Sequence, residues 1–500
     1  MATGDRQMRK RSRRRRSRRR AIRQRYGIGL ALVLLFLAGG AFAIRRVNDR
    51  YAWSRLKESQ EATAAEDYGW WGARGQSLSE EGQEIFGEER TPPEVSLEAS
   101  DYAGWRRLLD ENQVSAAFRE GAEAFAFDSG SRILRQSEGN VAYSPLSAYQ
   151  ALALAGCGAD GETEKEIFRV LKVEDRETLA DQCRKLYQQL YYAGQWAQKQ
   201  SETYGGSGER DQIWLGNALW VSDQVQIDRD YEELAARCFF APSISIDLED
   251  PKAGEQMSQW IAQKTAGKIH AAPDLGPEDR MVLMDTLYFY GGWRYPFREA
   301  DTQKDRFTLE SGEEVSCLFL NKTIENGSFR KGEGFTVAYL HTADSKVFFL
   351  LPEEGKRLEE LLTTPELLKE AMDLEQEGWS VGEVTWKIPR ASFQSSIDLR
   401  GFLQDMGLER MFGSTAEFGR IARGPLWTTS MVQKTSIGLE EDGLEGAAYT
   451  VLESEAADEE EEEDPPPHVD MLLDRPFLFG VRWDDEFWLF LGAYRDPTAG

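Results

Sequence analysis

Residues 140–155 read NVAYSPLSAYQALALA. Ser144-Pro145-Leu146-Ser147 punctuates the chain, and the alanine- and leucine-rich remainder continues as a helix through Ala155. On the amino-terminal side, residues 113–136 place Phe118, Ala122, Phe125 and Ile133 on one helical face. On the carboxyl side, residues 161–193 read as further helices. Strand-like stretches come afterwards: Ile213–Val221, Ser243–Ile246, Met281–Tyr290, Thr336–His341, Val347–Leu351, Val384–Arg390, Leu426–Gln433, Phe477–Trp483 and Phe487–Tyr494. Helices gather early and strands late, without alternation of the two. The fold class is therefore α+β, with mixed or antiparallel sheets.

The chain has 500 residues, of which 41% are hydrophobic and 29% charged, so it can bury a sizeable core and is not disordered throughout. Its net charge of −26 hides a split. Residues 1–46 carry 15 basic side chains and one Asp, a local +14, which leaves −40 for the rest. A body that acidic repels phosphate backbones, so nucleic acid is not an expected partner. Four Cys exclude a disulfide scaffold, and no two stand at zinc-ligand spacing. The Cys read as buried small hydrophobes. His270, His341 and His468 are scattered, so neither a metal nor a cofactor is expected.

Residues 6–25 hold twelve Arg and Lys10, and Tyr26–Ile44 then run nineteen residues without a charge. As a helix such a run spans about 28 Å, close to the hydrocarbon thickness of a bilayer. The expectation is a basic cytoplasmic tail at 1–25, a single-pass signal-anchor at 26–44, an extracellular stalk at 45–111 and a folded domain at 112–500. Ala41-Phe42-Ala43 supports a second reading, a cleaved signal peptide and a secreted product.

Six stretches along the folded part resemble the serpin family in order and spacing. They are Asn140–Ser147, Asn217-Ala218-Leu219-Trp220-Val221, and Trp260 with Thr265-Ala266-Gly267-Lys268-Ile269. The others are Leu287-Tyr288-Phe289 with Gly292, Trp293 and Pro296-Phe297; Lys387-Ile388-Pro389-Arg390 with Leu399 and Met406-Gly407-Leu408; and Asp474-Arg475-Pro476-Phe477-Leu478-Phe479. The resemblance covers residues 112–500. It implies three β-sheets with eight or nine helices and an exposed reactive loop. A protease that cleaves such a loop is trapped as an acyl-enzyme while the loop inserts into the central sheet. The anchor style and scarce Cys point to a bacterial member.

The hinge of that loop is Glu440-Glu441-Asp442-Gly443-Leu444-Glu445-Gly446-Ala447-Ala448-Tyr449-Thr450. Leu444, Gly446, Ala448, Thr450 and Leu452 form one alternating set, and the charges of Glu445 and Glu453 lie on the other, which suits insertion with the first set inward. Gly443 is read as giving the turn its backbone freedom. The resemblance implies Thr or Ser where Leu444 stands, and an oversized side chain in a close-packed site costs about 1–3 kcal/mol. Slow entry and more substrate-like behaviour are expected. Counting from Leu444 as the resemblance implies, the scissile bond is Ala457-Asp458, with Leu452 and Glu455 as fallbacks. Small Ala456-Ala457 suits an elastase-like protease. Asp458–Asp464 is an unbroken acidic run whose bland reading is a solvated spacer and whose sharper one is selection of basic proteases.

The resemblance also implies a buried polar shutter at Ser144, Ser147, Asp285 and Gln433, and a breach at Trp293. Asn and His are the family's usual residues at the positions of Asp285 and Gln433. The two readings are a rewired network and a loss of control. The sequence lacks GxSxG, HExxH and Walker-type loops, so the chain is not read as an enzyme. Two functions remain: an inhibitor of a serine or cysteine protease, or a non-inhibitory surface binding protein whose acidic loop recruits a basic partner.

Overall fold

The computed structural model describes residues 91–499, apart from 205–210, 266, 271, 274, 277, 278, 429, 430 and 445–466. The helices among them are α1 Tyr102–Glu111, α2 Ala116–Gln136, α3 Pro145–Gly158, α4 Gly161–Leu171, α5 Arg176–Tyr204, α6 Arg229–Cys238, α7 Ala253–Lys264, α8 Pro365–Met372 and α9 Arg400–Asp405. The strands are β1 Val141–Tyr143, β2 Gln212–Ser222, β3 Ser243–Ile246, β4 Met281–Gly292, β5 Gln303–Thr308, β6 Glu314–Gly332, β7 Phe335–His341 and β8 Ser345–Pro352. They continue with β9 Ser380–Pro389, β10 Ala391–Asp398, β11 Val432–Leu439, β12 Gly443–Leu444, β13 His468–Leu472, β14 Phe477–Trp483 and β15 Phe487–Tyr494.

The opening stretch folds as its residues dictate. Ser144 accepts a hydrogen bond from the Ser147 amide, and Pro145 fills the first helical position, where its missing N–H costs nothing. Every residue of α3 is buried, so this helix is the central post of the core. One sheet has the order β10-β11-β12-β4-β2-β3. A second hydrogen-bonded set is threaded by long β6, whose bulge between Ile324 and Gly327 divides it. Above the bulge β6 pairs with β5 and β9, and β9 with β13; below it β6 meets β7, which leads through β8, β14 and β15 to β1. Among the described residues this is the α+β, three-sheet, nine-helix architecture that the resemblance implied.

The six-stranded sheet separates two apolar clusters. Leu287, Phe289, Ile437, Leu439 and Leu444 face the main core. Ala218, Trp220, Met284 and Trp260 form the smaller cluster on the other face, where Trp260 belongs to α7.

Two expectations need correction. A strand was expected at Leu426–Gln433, but β11 starts at Val432 and ends at Leu439. Its inward set is Gln433, Thr435, Ile437 and Leu439, so half of the buried face is polar and hides the alternation. The stalk also ends earlier than residue 111, because α1 lies on the domain. Trp105 is fully buried and stacks on Trp196 of α5 with ring centroids 6.0 Å apart. Trp196 Nε1 donates to the Ala99 carbonyl at 3.2 Å, and Lys199 Nζ donates to the carbonyls of Val95 and Leu97 at 3.2 and 2.9 Å. Tyr26–Ile44 and the basic tail lie outside the described residues. Among those described, no helix is long and apolar enough to cross a membrane.

Candidate functional site

The hinge enters the six-stranded sheet while the chain is intact. Gly443 pairs with Gly292 and Leu444 with Gly291 on β4, and Leu444 also pairs with Leu439 on β11. Leu444 is 2% exposed and belongs to the main core cluster. Burying a leucine side chain contributes roughly 2 kcal/mol. Where the sequence reading expects slow entry at Leu444, its side chain occupies an inward place in the sheet and anchors the hinge there. The reason given for Gly443 changes too. Its backbone is not left-handed; a Cβ there would lie 2.6 Å from the Gly291 carbonyl oxygen, so close strand approach is what requires glycine.

The residues before Leu444 are clamped. Trp293 is buried, donates through Nε1 to the Glu440 carbonyl at 3.0 Å, and donates through its amide to the Asp442 carbonyl at 2.9 Å. The Phe297 amide donates to the Glu441 carbonyl at 2.7 Å, and Thr302 Oγ1 donates to Glu441 Oε1 at 2.9 Å. Arg390 stands between both acids, 3.5 Å from Glu440 and 3.7 Å from Glu441. Sequence reasoning named Trp293 and Glu441 but missed Arg390 as the partner of Glu440 and Glu441.

Below the hinge, no pairing joins β4 to β11 among the described residues. A narrow gap separates them, lined by Leu287 and Phe289 of β4, Ile437 of β11, Leu444, Ile269 and Phe490. Its lining takes Ile269 from the smaller cluster and Phe490 from the main core.

The shutter residues meet at the foot of this opening. Gln433 Oε1 accepts from the Ser144 amide at 2.7 Å, and Gln433 Nε2 donates to the Ser144 carbonyl at 2.8 Å. Thr435 Oγ1 donates to the Ala142 carbonyl at 2.7 Å, and Ser395 Oγ accepts from the Ala142 amide at 2.8 Å. Thr435 and Ser395 were not read from the sequence, because only register brings them to β1. Asp285 lies beside Ser147. Burial holds its carboxyl well above the ordinary carboxylate range, and the Ser147 side chain acts the other way.

Glu445, Gly446, Ala447, Ala448, Tyr449, Thr450, Ala457 and Asp458 lie outside the described residues. Cys157, Cys183 and Cys238 are buried and Cys317 half-buried. Burial pushes the Cys157 and Cys183 thiols up, which makes them unreactive.

The model of the family described as serpin (serine protease inhibitor) matches residues 120–497. Serpin A3-6 of Bos taurus is 27% identical over 371 residues, covering 73% of this chain and 84% of its own. Among solved structures, Serpin48 of the insect Tenebrio molitor superposes with a TM-score of 0.64 at 23% identity, over 76% of this chain and 98% of that one. Thyroxine-binding globulin in complex with thyroxine gives 0.61 at 20% identity, over 76% and 99%.

Proposed function

The chain belongs to the serpin family, and from that premise we propose that it is a suicide inhibitor of a serine or cysteine protease. The protease nucleophile adds to the Ala457 carbonyl, the bond to Asp458 breaks, and the Asp458 nitrogen leaves as an amine carrying the transferred proton. The protease is then held as an ester or thioester of Ala457. The freed strand enters the six-stranded sheet between β4 and β11 before water can release the enzyme. The observation that carries this reading is Leu444, already paired on both sides at the head of the gap between those strands.

The finer terms rest on sequence. Ala456-Ala457 fits an elastase-like primary pocket, and Asp458–Asp464 favours a basic enzyme. Tyr26–Ile44 tethers the domain outside a bacterial cell. Incubating the full chain with a basic, elastase-like serine protease is expected to yield an SDS-resistant complex of the summed mass. Complete loop cleavage with no such complex, across a panel of serine and cysteine proteases, overturns inhibition.

That outcome would favour a second reading, a non-inhibitory surface binding protein whose acidic loop recruits a basic partner. Its supporting observation is the same hinge, held by Leu444, Trp293 and Arg390. Thyroxine-binding globulin, a protein of the same fold, binds thyroxine.

A further inference from the structure

Asp211 stands immediately before β2 and is buried. Gln212 pairs with Tyr290 on β4, so one step further in the same register Asp211 comes beside Gly291. The opposite neighbour of Gly291 is Leu444. Asp211 has the parity of Ile213 and Leu215, which belong to the main core as Leu444 does. The three positions therefore form one rung of the six-stranded sheet. Gly291 leaves a hole in it, and a Cβ there would meet Thr342 Cγ2 at 2.7 Å and Thr342 Cβ at 3.0 Å. Thr342, buried in the turn between β7 and β8, fills that hole instead.

Asp211 holds this turn atom by atom. Thr342 Oγ1 donates to its Oδ2 at 2.6 Å, the Ala343 amide to its Oδ1 at 3.1 Å and the Asp344 amide to its Oδ2 at 3.3 Å. In return the Asp211 amide donates to Asp344 Oδ2 at 3.1 Å. The exchange brings two acidic side chains together, one of them buried, and such a place resists a second negative charge. Other charged groups surround the turn. The Asp484 amide donates to the Asp344 carbonyl at 2.9 Å, Lys346 pairs with Asp485, and the Arg294 amide donates to the His341 carbonyl at 2.8 Å. Burial, with Arg294 and Lys346, lowers His341 to about 4, so it stays neutral where Asp211, raised to about 7 by burial and then by Asp344, titrates.

We propose that Asp211, acting through Thr342, is a positioning residue for the hinge: neutral, it holds the β7–β8 turn against Gly291 and keeps Leu444 seated, and ionised, it loosens that seat. The neutral acid donates its O–H to Thr342 Oγ1, and the Thr342 hydroxyl turns to the Ser345 carbonyl, 3.2 Å away. Thr342 stays over Gly291. The carboxylate keeps Thr342 as a donor but meets the Asp344 charge out of water, a cost that is relieved when the rung opens and water reaches Asp211. The carboxyl binds its proton more tightly in the closed rung than in water. Closure is therefore favoured most at low pH and loses that advantage as pH rises through about 7. The inference concerns the intact chain and holds whether or not a protease is later trapped.

Hydrogen exchange of the intact full chain, corrected for the intrinsic rate at each pH, reads the seat at the Gly443 and Leu444 amides. Protection there is expected to fall by about tenfold or more between about pH 5 and about pH 8. D211N, neutral at every pH, should remove that slope. T342V keeps bulk over Gly291 but breaks the hydroxyl link, so it should flatten the hinge profile while the pH dependence of the guanidinium midpoint, set by the burial of Asp211, persists. T342S keeps the hydroxyl and should restore the hinge slope. A flat profile in the parent overturns the proposal, as does a D211N slope equal to the parent's. A T342V hinge profile like the parent's overturns the route through Thr342. Hinge protection that only parallels the guanidinium midpoint in every variant makes Asp211 a general stability group and overturns the positioning role.

Discussion

Asp211 illustrates how much a single side chain can set at the residue scale. Its carboxylate accepts from Thr342 Oγ1 at 2.6 Å and from the amides of Ala343 and Asp344 at 3.1 and 3.3 Å. Burial first, and the Asp344 charge second, push its pKa from 3.8 up to about 7. A raised carboxyl holds its proton more tightly folded than unfolded. The associated stability is fully present below pH 3.8, falls as pH rises towards about 7, and changes no further above that. The loss amounts to up to about 4 kcal/mol. D211N is expected to flatten this part of the stability-against-pH curve; parallel curves for parent and variant would refute the assignment. Thr342 also packs against Gly291, since a Cβ on that glycine would meet Thr342 Cγ2 at 2.7 Å, so Asp211 buttresses the strand position on which Leu444 pairs. Leu444 itself supports a sharper test. Arginine cannot be buried unpaired at that place. L444R should expel the hinge and divert every encounter with the target protease from covalent complex to simple cleavage, read as the ratio of the two on a denaturing gel. A complex yield equal to the parent's would mean that entry at 444 is not required.

At the element scale, β11 and α1 behave in opposite ways. β11 is a poor strand by composition, VQKTSIGL, yet it lies between β10 and β12 and fastens β1 through Gln433 and Thr435. Its polar residues are inward because they satisfy the backbone of Ala142 and Ser144, not because the segment favours solvent. α1 is a plain amphipathic helix whose sequence surroundings resemble linker. What joins it to the body is two tryptophans and one lysine: Trp105 stacked on Trp196, and Lys199 reaching back to Val95 and Leu97. Removing a fully buried indole costs about 3–5 kcal/mol. W105A is therefore expected to lower the guanidinium midpoint of the full chain with no change in loop cleavage. An unaltered midpoint would mean that residues 91–111 are an appended linker after all.

For the whole molecule, charge is the organising quantity. The first 46 residues stand at +14 and the remainder at −40, with seven consecutive acids at Asp458–Asp464. A cluster of that size beside the proposed scissile bond creates a field that extends about a Debye length, ~8 Å at physiological ionic strength. Complementary charge acts mainly on encounter. Association with a cationic elastase-like enzyme should be fast at low salt and fall steeply as salt rises, while a neutral protease with the same pocket gains little. Replacing all seven acids by Ser and Gly at constant length should remove the salt dependence. If the variant associates with the basic protease as fast as the parent at low salt, the run is only a spacer.

Local patterns carried the α+β class, the family resemblance and the parity of the hinge, because helical faces, turn residues and alternation depend on neighbours within a few positions. The resemblance implied that Ser144, Gln433 and Trp293 belong to two clusters. Tertiary structure alone decided the rest. Strand pairing brings Gln433 to the backbone of Ser144, 289 residues away in the chain. It also seats Leu444 between Gly291 and Leu439, and places Arg390 against Glu440 and Glu441. A carboxyl such as Asp211 reads as an ordinary surface acid in one dimension. Only the burial imposed by packed neighbours raises its pKa, and that burial is a property of the assembled sheets.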